Sequence, residues 1–253
     1  VHDIGRFFVG ENGCGNTTTS LDHGMYLNGG SGGGGGASNI AIRNNIIHDT
    51  HHGWGIQFYP GTLDNVHVFN NTFANCYESK NYTCIVLDAT ITNSSVKNNI
   101  FYNSQGGKTI EAAGFGTSVM TISNNMTSGS CMHDRSGCTA PSGMALSNNQ
   151  LSTNAQLVNP SGDFHLQGTS PAIDAGANLS INGVVIDFAG QSRPQGSAYD
   201  IGAYEYSSAG SLGGGAAVAL PTYDTTVKPN TQDPTGLDKC QQFLWHKWYS
   251  PTT

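Results

Sequence analysis

Residues 48 to 52, His-Asp-Thr-His-His, place three histidines and an aspartate within five positions. Neutral imidazole is both a metal ligand and a proton acceptor near neutral pH, so the cluster suits either chemistry. As a metal site, His48, Asp49, His51 and His52 would need a helix or a fixed turn to converge their donors. A second pair of stretches, "DHGMY" at 22 to 26 and "HHGWG" at 51 to 55, each bring polar residues up to a glycine and then an alternating run. An aspartate that orients a histidine is a general-base arrangement, and aromatic neighbours are suited to stacking on sugar rings. What positions these side chains decides which of them can act.

The chain aligns on itself through "NIAIRNNIIHDT" at 39, "NVHVFNNTFANC" at 65, "NSSVKNNIFYNS" at 93 and "VMTISNNMTSGS" at 119. The Asn-Asn pairs begin at 44, 70, 98 and 124, a period of 26 to 28 residues. Between the copies lie second short strands, "GMYLN" at 24, "GIQFY" at 55, "CIVLD" at 84 and "KTIEA" at 108. Each period is then one turn of a coil whose strands pair with the turns above and below, about 4.8 Å apart. Ile40 and Ile42, Val66 and Val68, and Val119 and Ile122 are expected to stack inward. Asn tolerates left-handed backbone angles, and its amide can bond to the amide one rung away, so the pairs belong at a corner. Asn45, Asn71, Asn99 and Asn125 are expected to form one stacked column. In the same alignment His48 shares its position with His2, Ala74 and Tyr102. A position that accepts such different side chains reads as a solvated corner, and no metal site is expected.

These rungs resemble the secreted right-handed β-helix repeat proteins of the pectate-lyase-like class. "GDFHLQGTSPAIDAG" at 162 to 176, followed by "DFAGQSRPQGSAYDIGAYEY" at 187 to 206, is similar to the segment that closes many bacterial surface β-helices. The resemblance implies an all-β fold, a right-handed, single-stranded parallel β-helix with an irregular C-terminal closing segment; roughly six to eight turns are expected, followed by an extended tail that departs from the family pattern. It implies no single reaction, because that fold hosts lyases, hydrolases, adhesins and fibre proteins. The expected division is rungs over 1–160, closing segment over 161–206, a Gly/Ser/Ala-rich linker over 207–220 and a Pro-rich aromatic tail over 221–253. Arg193 is expected to hold irregular chain against the last rung by pairing with carboxylates among Asp174, Asp187, Asp200 and Glu205.

Stacking of successive turns brings Asp22 and His23 close to His52 and Trp54 on one face. If Met25, Ile56 and Ile110 point inward, alternation turns Tyr26, Gln57 and Glu111 outward, with Tyr59 and Asp88 in the neighbouring column. Asp22, His23, His52, Asp88 and Glu111 are the candidate catalytic residues, and Tyr26, Trp54, Gln57 and Tyr59 the candidate glycan contacts. The polygalacturonase-type Asn-Thr-Asp, Asp-Asp and Gly-His-Gly stretches are absent, and so is the Arg-x-Pro-x-x-Arg segment of a pectate lyase. A lyase acting on an acidic polysaccharide needs cations or calcium to neutralise the substrate carboxylate, and Arg43, Lys97 and Lys108 are the nearby basic residues on the rungs. The run "GGSGGGGGAS" at 29 to 38 lacks the lysine and strand-to-helix context of a phosphate loop and reads as an insertion between strands.

Only 11% of the 253 residues are charged and the net charge is -7, which argues against a nucleic-acid groove. Six cysteines without a CxxC fit an oxidised, secreted protein, with Cys76 to Cys84 and Cys131 to Cys138 as local bridges and Cys14 and Cys240 paired or free. Sequons at Asn16, Asn70, Asn81, Asn93, Asn125 and Asn178 permit N-glycosylation. No stretch has the roughly 20 apolar residues of a membrane span. "VHDIG" aligns with "IHDT", so the first strands are expected to present an open edge, and the tail carries Phe243, Leu244, Trp245, Trp248 and Tyr249. The expected function is an extracellular scaffold that binds glycans or assembles with copies of itself through that end and the tail. The alternative is a secreted polysaccharide lyase or glycoside hydrolase. No cofactor is required, with Ca entering only in the lyase alternative.

Overall fold

The structure, a computed structural model, describes residues 2–4, 23–30, 36–50, 53–76, 83–103, 109–115, 118–133 and 138–208. The first strands are β1 (His2–Ile4), β2 (Met25–Gly29), β3 (Ala37–Arg43), β4 (Ile46–Thr50), β5 (Ile56–Phe69) and β6 (Thr72–Cys76). They are followed by β7 (Ile85–Leu87), β8 (Thr90–Thr92), β9 (Ser94–Lys97), β10 (Ile100–Tyr102) and β11 (Ile110–Glu111). β12 (Met120–Ser123), β13 (Met126–Thr127) and β14 (Met144–Ser147) complete the coil, and β15 (Leu157–Asn159) and β16 (Asp163–Leu166) come after it.

Because each period returns the chain in the same direction, the coil strands pair in parallel and build three walls. Wall one runs β1-β4-β6-β10-β13. Wall two holds β2, the first half of β5, β7 and β11. Wall three holds β3, the second half of β5, then β8 and β9 on one turn, β12 and β14. β5 serves two walls by bending at Gly61, whose φ of +89 and whose close approach to the Gly30 carbonyl leave no room for a side chain. The chain is thus an all-β parallel solenoid. Among the described residues it makes about four turns rather than six to eight. The register explains the difference: His2 pairs with His48, and His48 with Ala74, so the first step of wall one takes 46 residues and the next 26. The glycine-rich insertion lies within that long first step.

The interior is a column of stacked apolar side chains, Ile42, Val68, Val96 and Ile122, with Ile40, Val66 and Met120 beside them. Val119 does not join them and is 59% exposed, whereas Met120 is 2% exposed. Strand parity decides this, since only positions two apart from Ile122 share its face. On wall one both faces are buried: Ile47, Phe73 and Phe101 point in, while Ile46, Ala74, Ile100 and Met126 meet a second core outside the coil.

That second core is contributed by residues 155–206. β15 and β16 form an antiparallel hairpin, and Leu157, Phe164, Leu166, Ala172 and Ile201 pack against wall one. The segment runs along the side of the coil across successive turns. Asn44 Nδ2 donates to the Ile186 carbonyl, Asn70 Nδ2 to Asp200 and Asn98 Nδ2 to Ala177. Arg193 anchors it: its guanidinium pairs with Glu205 at 2.5 Å and donates to the Gly202 and Ala203 carbonyls and to Asn44 Oδ1. Glu205 also accepts from the amides of Gln195 and Asp200, Asp187 from those of Gln191 and Glu205, and Asp174 from that of Ala198. Among the described residues no helix is long and apolar enough to cross a membrane.

The asparagine pairs divide the labour of the corner. The first of each pair, Asn44, Asn70, Asn98, Asn124 and Asn148, takes the left-handed conformation at φ between 50 and 56. The second forms the expected column, which extends to Asn149: each backbone N–H and each Nδ2 donates to the Oδ1 of the asparagine one turn on, at 2.9 to 3.0 Å. Nδ2 also reaches a main-chain carbonyl of the neighbouring turn, as Asn99 does to Val68 at 2.9 Å. Two more left-handed columns mark the other corners, Asn39, Asn65 and Asn93 on one and Asp49, Asn75 and Asn103 on the other.

Candidate functional site

The outward face of wall two follows from its register. Ile56, Ile85 and Ile110 are buried, so Tyr26, Gln57, Val86 and Glu111 share the opposite face. Tyr26 is 49% exposed and Tyr59 43% exposed, on adjacent positions of the alternating column. His23 and Trp54 precede β2 and β5, and the Gly24 and Met25 amides donate to the Trp54 and Gly55 carbonyls. This pairing lays the His23 ring on the Trp54 indole, centroids 5.3 Å apart and 27° from parallel, with the Tyr26 ring 5.8 Å from His23. Trp54 Nε1 donates to Glu111 Oε2 at 2.9 Å, tying the indole to the wall two turns further along.

The structure therefore brings together His23, Tyr26, Trp54, Gln57 and Glu111. Asp22 and His52 lie outside the described residues. Asp88 is half-buried and turned toward Gly114, where its Oδ1 would stand 2.3 Å from an added Cβ. Burial lowers the His23 pKa to about 4, with the Gln57 side chain acting in the opposite direction. At neutral pH the ring is uncharged, and its Nδ1 is buried with no hydrogen-bond partner among the described residues. Desolvation raises the Tyr26 pKa, with Tyr59 adding to it, so the Tyr26 phenol is a neutral hydroxyl. Such a surface offers flat aromatic faces and neutral hydrogen-bonding groups.

The basic residues considered for carboxylate neutralisation sit elsewhere. Arg43 and Lys97 belong to wall three, and Arg43 is bonded to the Gly183 carbonyl. Lys108 lies outside the described residues.

The histidine cluster is divided. His48 Nδ1 contacts Asp49 Oδ2 at 2.6 Å and its ring lies 4.7 Å from that of Phe164, so this corner is half-buried under the lateral segment rather than solvated. Asp49 fills a left-handed corner position and accepts from Asn75 Nδ2, the part an asparagine plays one turn on. His51 falls outside the described residues, as His52 does. Among the described residues no three His, Cys, Asp or Glu side chains are grouped as metal donors.

Cys76–Cys84 and Cys131–Cys138 are disulfides, the two local bridges expected, and Cys14 and Cys240 lie outside the described residues. Of the sequons, Asn70 and Asn125 are fully buried with their amide nitrogens donating within the fold, which leaves no room for a glycan. Asn93 and Asn178 are exposed, and Asn16 and Asn81 lie outside the described residues.

Sequence reasoning passed over Asp163 and His165. They are two apart on β16, so strand parity sets them on one face, and His165 Nδ1 meets Asp163 Oδ1 at 2.6 Å. "DFH" within a short alternating run was the available signal.

No protein-family model matches the chain, and no curated protein matches it.

Proposed function

We propose that the protein is an extracellular β-helix scaffold that binds glycans on the outer face of wall two. The observation carrying this reading is the exposed aromatic set of that wall, Tyr26 and Tyr59 beside the stacked His23–Trp54 pair, with Gln57 and Glu111 as polar neighbours. Aromatic faces flanked by amide and carboxylate groups match the alternating C–H faces and hydroxyls of a pyranose. Two disulfides are compatible with an oxidising environment. Right-handed coiling, membership of the pectate-lyase-like class, secretion and an N-glycan at Asn93 or Asn178 are parts of the same proposal. Assembly of copies through the first strands and the aromatic tail is a further proposal, and both contact regions fall largely outside the described residues.

Binding of cello-, xylo- and mannohexaose, followed by isothermal titration and by quenching of tryptophan fluorescence, tests the proposal. Tyr59→Ala should weaken the binding of whichever hexaose binds by roughly tenfold, the loss of one stacked ring. Absence of binding across neutral and acidic glycans would reject it.

A lyase or hydrolase is the second reading, favoured by the uncharged His23, whose Nδ1 has no hydrogen-bond partner among the described residues and whose ring stacks on the Trp54 indole that is tied to Glu111. With its pKa near 4 the ring is a weak base, and the Asp88 carboxylate is turned toward Gly114. If this reading holds, His23→Ala abolishes release of reducing ends or unsaturated products while the fold is retained.

A further inference from the structure

The lateral segment carries a cavity of about 370 Å³ lined by Val158, Asp163, His165, Leu166, Gln191, Glu205 and Tyr206, with Ser207 and Ser208 at its edge. It belongs to the cover of wall one, and none of its lining residues comes from wall two. Its size is in the range of small-molecule sites. What distinguishes it from a surface dent is the state of its polar groups. Asp163 Oδ1 accepts from both the backbone N–H and the Nδ1–H of His165, at 3.1 and 2.6 Å. That pair fixes the imidazole tautomer and turns Nε2 into a hydrogen-bond acceptor. The His165 ring is held by stacking on Tyr204, centroids 3.8 Å apart, and Tyr204 is braced edge-on by Phe188 at 5.3 Å.

The rest of the lining divides into spent and unspent groups. Glu205 is spent, both oxygens being committed to Arg193 and to the amides of Gln195 and Asp200. Asp163 Oδ2, His165 Nε2 and the Gln191 side-chain amide make no hydrogen bond within the described chain, while the Asp163 and His165 side chains are 45% and 32% exposed. The cavity thus presents two oriented acceptors and one amide, beside the apolar Val158 and Leu166. Among the described residues no Lys or Arg lines it, so there a carboxylate, sulfate or phosphate would meet Asp163 without compensation.

We propose that this cavity is a second carbohydrate site, one that takes a single neutral pyranose. Asp163 Oδ2 and His165 Nε2 accept from two ring hydroxyls, Gln191 completes the polar edge, and Val158 and Leu166 cover the C–H face. The proposal is independent of wall two. If both sites are real, a long neutral glycan has two anchor points on one molecule, and the gain comes from effective concentration.

The experiment is titration of the full chain with cello-, xylo- and mannohexaose and with trigalacturonate as the acidic control, read as stoichiometry and affinity. Asp163→Asn is the main variant, because the amide oxygen can still accept both His165 bonds and only the charge and one acceptor are lost. With the cavity as a site, Asp163→Asn and His165→Ala each weaken one class of binding by roughly tenfold or more, while Tyr59→Ala leaves that class unchanged. Trigalacturonate does not compete. Neutral-glycan binding that is lost in Tyr59→Ala and untouched in both cavity variants would overturn the second site and keep wall two. Binding lost only in the cavity variants would keep this site and remove wall two. Should the variants fail to fold, histidine NMR of the wild type decides: His165 ring signals that stay unmoved at saturating neutral hexaose overturn the proposal.

Discussion

At the scale of single residues, the asparagines show how a side chain can substitute for main chain. Asn99 is fully buried; its Oδ1 accepts from the Asn71 N–H and Nδ2, and its own Nδ2 donates to the Val68 and Lys97 carbonyls and to Asn125 Oδ1. Asn99→Ala would leave the Asn71 N–H without its acceptor in a site closed to water, and would take one donor each from the Val68 and Lys97 carbonyls and from Asn125 Oδ1. Each such group costs on the order of 1–3 kcal/mol, so a loss of about 3 kcal/mol or more is expected in urea unfolding. Asn99→Asp keeps the acceptor but loses both donors and buries a charge, and should be no better. Arg193 is the second such residue, with its guanidinium fully enclosed against Glu205. Arg193→Ala strands that carboxylate and should cost roughly 3 kcal/mol or more in thermal or urea unfolding. Both roles were legible from sequence, because a fixed period and a lone arginine among carboxylates are local patterns. Val119 was misplaced for an equally local reason: alignment on the asparagines puts Met120, not Val119, level with Ile40 and Val66.

Elements differ in how much of their surroundings the sequence reveals. The strands of walls two and three carry alternation on one face and were visible as short runs. Wall one is buried on both sides although its strands carry polar residues such as His48 and Asn75, and nothing local says that its second face is covered by residues from 155 onward. The lateral course of residues 155–206 depends on long-range contacts such as Asn44 to Ile186, which no spacing predicts. Two elements should also respond oppositely to acid. Burial lowers the His23 pKa from 6.5 to about 4, so the unfolded chain binds the proton first and this group's contribution is lost as pH falls from about 6.5 to 4. Burial raises the Asp200 pKa to about 6, despite amide bonds from Asp174 and Tyr206 that act against it. The folded chain then binds that proton first, and Asp200 favours folding increasingly as pH falls from about 6 to below 4. Thermal melting at pH 4, 5, 6 and 7 should therefore show a smaller acid loss, or a gain, in His23→Gln relative to the parent chain. An unchanged pH slope in that variant would mean that His23 titrates normally.

For the whole molecule, the combination of a coil and a lateral clamp sets how it unfolds. A solenoid alone is a one-dimensional stack in which each turn is held by its neighbours and ends fray independently. Here residues 155–206 bond to the corner asparagines at 44, 70 and 98, so three successive turns share one clamp fixed by Arg193. The corners at 124 and 148 make no such bond among the described residues, and β14 is exposed at Ala145, Leu146 and Ser147. Leu146 continues the inward column of Ile122, yet it is 37% exposed. Hydrogen exchange should therefore reveal a gradient, with amides at 70–73 and 98–101 opening only by global unfolding and those at 144–150 opening by local fraying. Loss of the clamp changes one part of this pattern. Arg193→Ala should accelerate exchange at the clamped corners by roughly a hundredfold, the factor corresponding to about 3 kcal/mol, while amides at 144–150, already limited by local opening, keep their rates. Uniform acceleration through 144–150 would instead show that the coil and its cover unfold as one unit, with no independent fraying at the last turn.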